Sequence, residues 1–138
     1  MQRSRILLVD DEPTILRLCS AILRGKGFDI TTATDGLMGL QAYRREYQEI
    51  GLIISDLMMP RMNGIEMLEE IANTNPSIRS LLISGYGAPR RLPEQVCAVL
   101  QKPFRPCQLI DAVHRHFERP ASGIIASTPE PQFVEAVG

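Results

Sequence analysis

Leu52-Ile53-Ile54-Ser55-Asp56-Leu57-Met58-Met59-Pro60-Arg61-Met62-Asn63-Gly64 runs a short apolar segment straight into an acid and then into a turn. Residues 52–55 read as a strand covered on both faces, and Pro60, Asn63 and Gly64 mark a loop that leads into a helix. Asp56 therefore stands at the C-terminal end of a strand. In open parallel α/β sheets that edge is where ligands bind, so an acid there needs a chemical reason, unless it is a solvated loop acid or a helix cap.

Working outward, the pattern of strand followed by helix repeats on both sides. Residues 5–9 predict a strand closed by Asp10-Asp11-Glu12, and Pro13 suits the first turn of a helix with Ile15, Leu18, Cys19 and Ile22 at helical spacing. Gly25 and Gly27 end that helix, residues 28–33 predict a second strand, and a second helix follows Asp35-Gly36 with Leu40, Tyr43 and Tyr47 on one face. After the opening stretch, Asn63 and Glu66 form a capping box, Ile65, Leu68 and Ile71 make an apolar side, and Asn75-Pro76 ends the helix.

Residues 79–83 predict a fourth strand running into the loop Ser84-Gly85-Tyr86-Gly87 with Pro89 beyond it. A short helix over 92–97 requires Pro93 in its first turn. Residues 98–101 predict a fifth strand before Lys102-Pro103-Phe104, and a last helix carries Leu109, Ile110, Val113 and Phe117. The chain thus divides into a folded domain over 1–118 and a flexible tail over 119–138, where Pro, Ser, Gly, Thr and Glu show no sustained period. Five strands alternating with helices predict an α/β fold, a doubly wound parallel (βα)5 sheet of the flavodoxin-like order 2-1-3-4-5.

Composition narrows the classes. With 138 residues, 44% hydrophobic and 22% charged, the chain has room for one domain with a real core. A formal net charge of −1 without a basic run argues against direct nucleic-acid binding. The apolar run Ile6–Val9 is too short for a signal peptide or a membrane span, so a cytoplasmic protein is expected, with no membrane contact of its own. Cys19, Cys97 and Cys107 are odd in number and lack metal-ligand spacing, which predicts reduced thiols.

With that strand order, Asp10, Asp11 and Asp56 converge in one crevice. Three carboxylates repel unless protonated or cation-bound, and a hard, all-oxygen site with room for water suits Mg²⁺. Ser84 and Lys102, at the ends of strands 4 and 5, add a hydroxyl and an ammonium. A carboxylate nucleophile, a divalent cation, a hydroxyl donor and a point cation are the parts of a phosphoryl-transfer site.

Val9-Asp10-Asp11-Glu12, Asp56-Leu57-Met58-Met59-Pro60, Asn63-Gly64, Ser84-Gly85-Tyr86-Gly87 and Lys102-Pro103-Phe104 together resemble the receiver domain of two-component response regulators, over about residues 4–118. The resemblance implies that Asp56 accepts a phosphoryl group from the phosphohistidine of a sensor histidine kinase or a histidine phosphotransfer protein. It implies a phosphoacceptor signalling domain rather than a turnover enzyme, acting by binding or phosphorelay. Asp11, Asp56 and the Met58 carbonyl would bind Mg²⁺ directly, or Mn²⁺ in its place, and Asp10 through metal-bound water. Ser84 would hydrogen-bond the phosphoryl group and Lys102 would pair with it, with a cis Lys102–Pro103 bond.

Two features depart from the family pattern. Val99 stands where receivers often carry an aromatic residue, three positions before the Lys, and the segment from Ser84 to Lys102 is shorter by about one helical turn. The short segment is reminiscent of receivers attached to hybrid histidine kinases, and a monomer or weak dimer is expected. Two rivals share parts of the pattern. A flavin- or nucleotide-binding module would need a phosphate-cradling loop where Asp10-Asp11-Glu12 stands, and an Asp-dependent phosphatase would need a second acid where Met58 stands.

Overall fold

β3 (Ile50–Asp56) is buried at all of its seven positions, as a central strand covered on both faces must be. It exceeds the expected 52–55 at both ends. The computed structural model describes residues 3–85, 91–117 and 134–135. Around β3 lie β1 (Arg5–Val9), β2 (Asp29–Ala33), β4 (Arg79–Ser84) and β5 (Val96–Gln101), all parallel and in the order 2-1-3-4-5. The doubly wound order inferred from precedent is the observed one.

Alternation along the strands divides the core into two layers. Ile6, Leu8, Leu52 and Ile54 face α1 (Pro13–Gly25) and α4 (Pro106–His116), while Leu7, Val9 and Ile53 face α2 (Gly36–Glu46) and α3 (Gly64–Thr74). Each helix is held by an amphipathic face, and two have side-chain caps. Asp35 accepts the Met38 N–H at 2.8 Å at the start of α2. At α3, Asn63 and Glu66 form the expected reciprocal box, at 2.8 and 3.0 Å.

Three local expectations are corrected. The inner line of α1 is Leu16, Cys19 and Leu23, so Leu18 turns outward and is 54% exposed. Its neighbours Ile15 and Ile22 are only partly buried. Tyr47 follows the last turn of α2 and is exposed, leaving Leu40 and Tyr43 to pack.

No helix forms over 92–97. Val96 and Cys97 belong to β5, and Gln95 is bound to β4: its carbonyl accepts both the backbone N–H and the hydroxyl of Ser80 at 2.8 Å. Those ties commit this end of the segment to β4, and the Val96 N–H closes a turn onto the Pro93 carbonyl at 3.0 Å where a helix would have continued. The described residues therefore contain four helices.

Val134–Glu135, inside the stretch read as a tail, form a short β6 antiparallel to β5, with Val134 opposite Val99 and Glu135 opposite Ala98. The rest of 119–138, and Tyr86, Gly87 and Pro89 of the β4 loop, lie outside the described residues. All three cysteines are free thiols. Among the described residues no helix is long and apolar enough to cross a membrane.

Candidate functional site

The register of the sheet brings the acids together. Val9 pairs with Ser55 and Asp56 with Ile83, so the first residue beyond β1, Asp10, flanks the last residue of β3. Asp10 and Asp56 are buried while Asp11 is exposed, and one carboxylate oxygen from each lies within 4.8 Å of the other two. Burial, then the Asp10 charge and more weakly Asp11, pushes the Asp56 carboxyl up to about 6, against the pull of Lys102 and the Leu57 N–H. Burial also raises Asp10, against the Glu12 N–H and Lys102.

Lys102 enters from the end of β5. Its backbone N–H donates to the Ser84 carbonyl at 2.8 Å, which locks the ends of β4 and β5 side by side. The ammonium Nζ lies 3.6 Å from Asp56 Oδ1 and 3.1 Å from Glu12 Oε1. Burial lowers the affinity of Lys102 for its proton, but the Glu12 hydrogen bond and the charges of Asp56 and Asp10 outweigh it and hold the ammonium above its ordinary range. Ser84 is buried at the C-terminal end of β4, and the Lys102–Pro103 bond is cis.

The loop from β3 to α3 is fixed from both sides. Leu57 donates to Ile83 O and accepts from Gly64, both at 2.9 Å. A Cβ on Gly64 would stand 2.5 Å from the Asp56 carbonyl, so only glycine lets α3 start this close to the site. Arg61 adopts a left-handed conformation at φ 70° and sets its guanidinium 3.5 Å from Asp35 at the start of α2. Gly36 there leaves room for the Met62 carbonyl, which a Cβ would strike. Met58 is in this loop and is 69% exposed.

The structure thus brings Asp10, Asp11, Asp56 and Lys102 into one crevice, sets Ser84 at the end of the adjacent strand and leaves the Met58 side chain outside. The donor set fits a hard divalent cation such as Mg²⁺ or Mn²⁺. Asp10 Oδ1 accepts the Glu12 N–H at 2.8 Å, whereas Oδ2 is buried without a hydrogen-bond partner among the described residues, a place that a cation or a water would fill. Sequence reasoning assigned no role to Glu12 or to the Asp35–Arg61 pair. Glu12 sits 90 residues from Lys102 and carries no local signal beyond being the third acid in a row.

The response regulator receiver domain family matches residues 6–114 of the chain. The transcriptional regulatory protein CpxR homolog of Haemophilus influenzae is 38% identical over 122 residues, 86% of this chain and 52% of that protein. The sensor kinase CckA of Brucella abortus is 30% identical over 118 residues, 83% of this chain and 12% of that protein. The chain therefore spans about half the length of the first relative and a small part of the second. Among solved structures, a response regulator receiver domain protein from Clostridium thermocellum superimposes with a TM-score of 0.76 at 28% identity, over 82% of this chain and 93% of that one.

Proposed function

The chain belongs to the response regulator receiver domain family, and from that premise we propose that it is a cytoplasmic phosphoacceptor which takes a phosphoryl group onto Asp56 from the phosphohistidine of a sensor histidine kinase or a histidine phosphotransfer protein. One observation carries the reading: a buried carboxylate, with two further acids whose oxygens lie within 4.8 Å, has a lysine ammonium 3.6 Å away. Few structural roles need that arrangement, since a stabilising network would match its charges.

An Asp56 oxygen attacks the phosphorus in line. The phosphorus–nitrogen bond of the donor breaks, its electron pair returns to the imidazole ring, and the ring takes up a proton from solvent. Lys102 offsets charge on the transferred oxygens, and the Ser84 hydroxyl donates to one of them. Asp11, Asp56 and the Met58 carbonyl would hold Mg²⁺ directly, with Asp10 acting through bound water. When bound, the ion neutralises the carboxylates and the phosphoryl oxygens. Water later cleaves the acyl phosphate, so the domain passes a signal by binding or relay and does not turn over an external substrate.

The test is intact-mass measurement after incubation with acetyl phosphate and Mg²⁺. Wild type gains the mass of one phosphoryl group, and Asp56→Asn gains none. Equal gain by both proteins would remove Asp56 from the role of acceptor.

A further inference from the structure

The start of α1 leaves Glu12 free for another task. A residue at the N-cap ordinarily accepts a backbone N–H of the first turn with its side chain. Glu12 makes no such bond, although its backbone has the extended conformation of a cap. Its own N–H is bound by Asp10 Oδ1 at 2.8 Å, which fixes where its side chain starts. From there Glu12 Oε1 reaches the Lys102 ammonium at 3.1 Å, closer than the 3.6 Å from Asp56 to the same nitrogen. The pair sits at the mouth, with Glu12 60% and Lys102 23% exposed.

We propose that Glu12 is a positioning residue, which shares the Lys102 ammonium with Asp56 while Asp56 is unmodified and surrenders it when a phosphoryl group arrives. The inference rests on the reading of Asp56 as phosphoacceptor. A lysine ammonium is a point charge with three donors on a flexible stem, so it follows the strongest anion within reach. Before transfer the two carboxylates divide it. After transfer the acyl phosphate replaces the single carboxylate charge of Asp56 with close to two and adds three acceptor oxygens, and the balance tips inward. Glu12 thus opposes the phosphorylated state by the worth of its own ion pair, and its carboxylate is released at the start of α1 only when the site is charged.

Beryllium trifluoride with Mg²⁺, a stand-in for the phosphoryl group on Asp56, provides the test. Its affinity for the full chain is measured by amide NMR for wild type, Glu12→Gln and Glu12→Asp. The shorter Asp keeps the negative charge at the mouth but reaches about one carbon–carbon bond less far. Because a half-exposed ion pair is worth little, both variants should bind the probe about two- to fivefold more tightly.

Lys26 and Lys102 are the chain's two lysines, so lysine-selective ¹³C labelling isolates the Lys102 Cε signal. In unliganded Glu12→Gln that signal should already lie part of the way towards its position in the loaded wild type. Unchanged affinity in Glu12→Gln, or a Lys102 signal that the substitution does not move, would overturn the proposal. Wild-type affinity in Glu12→Asp would assign the effect to the general field of the crevice and also overturn it. Wild type that fails to bind the probe would instead remove the phosphoacceptor reading, and the role of Glu12 with it.

Discussion

At its N-terminal end β1 carries Arg5, which donates to Thr31 Oγ1 at 3.1 Å and stands 3.8 Å from Glu46 and 3.7 Å from Glu49. Thr31 in turn donates to Glu46 at 2.6 Å, and Arg45 stands 3.6 Å from the other Glu46 oxygen, so two cations face two carboxylates there. At its C-terminal end the same strand runs into Asp10, where, among the described residues, three carboxylates share a crevice with the Lys102 ammonium and a buried oxygen is left without a partner. The two ends lie on one scaffold. The basal cluster is matched and half-exposed, and its work is to tie β1, β2 and α2 together. The crevice is unmatched and mostly buried, which costs stability and is tolerated where a ligand supplies the missing charge.

The comparison predicts that a cation acts at the crevice end alone, and that is the largest effect expected. Mg²⁺ at about 100 times its dissociation constant should stabilise the fold by about 2.7 kcal/mol, because it binds only where the acids are assembled. Thermal unfolding with and without Mg²⁺ measures this. Asp11→Ala should lose most of the gain, and without metal it should melt slightly above wild type because one repelling charge is gone. A full Mg²⁺ response in Asp11→Ala would break the contrast at the crevice end.

Next in size is the frame beneath the crevice. Gly64→Ala would drive a methyl group against the Asp56 carbonyl and the Ser55 hydroxyl, 2.5 and 3.1 Å from the new carbon, and should destabilise the chain by about 1–3 kcal/mol in a urea titration. Gly25→Ala, where a Cβ meets nothing within 4 Å among the described residues, should fall well short of that. Equal losses would mean that the start of α3 is looser than the geometry describes.

At the basal end, Arg5→Ala should cost about 1 kcal/mol or less, as partly exposed ion pairs do, and should leave the Mg²⁺ response untouched. A variant that also lost that response would show the two ends to be coupled.

The smallest effect is in thiol chemistry. Cys19 lies under the crevice, and burial, then the Asp10 charge, pushes its thiol up to about 11, with Lys102 opposing. At pH 8 iodoacetamide should label exposed Cys107 first and reach Cys19 only through opening of the fold, so Mg²⁺ should slow Cys19 labelling and leave Cys107 unaffected. Peptide mass mapping over time reads both rates. Cys19 labelling as fast as that of Cys107 would mean that the region beneath the acids is open.

How much was legible in the sequence follows from the range of each interaction. Strand β3, the loop after it and the Asn63–Glu66 box were legible because apolar runs, Pro, Gly and caps act on neighbours a few residues away. The acids were legible as candidates because each stands at the end of a strand or within two residues beyond it. The outward face of Leu18 was not, since residues 15, 18, 19 and 22 and residues 16, 19 and 23 both fit a helical period. Only packing against the sheet decides which line turns inward.

By itself the sequence determined where the five parallel strands lie, to within a few residues, which residues carry charge at their ends, and the chemistry those residue types can perform together. The tertiary structure decided what depends on contacts across the chain. Glu12 and Lys102 meet across 90 residues, Arg61 reaches Asp35 from the next loop, and Gln95 claims Ser80 of β4, so that the stretch after Pro93 turns into β5 and forms no helix. Val134–Glu135 likewise pair with β5 because its edge offers unpaired backbone groups, and no period in the tail announces that. The reason is physical: local propensity acts within a turn of chain, whereas the partner of a charge or a strand edge exists only after the sheet has closed around it.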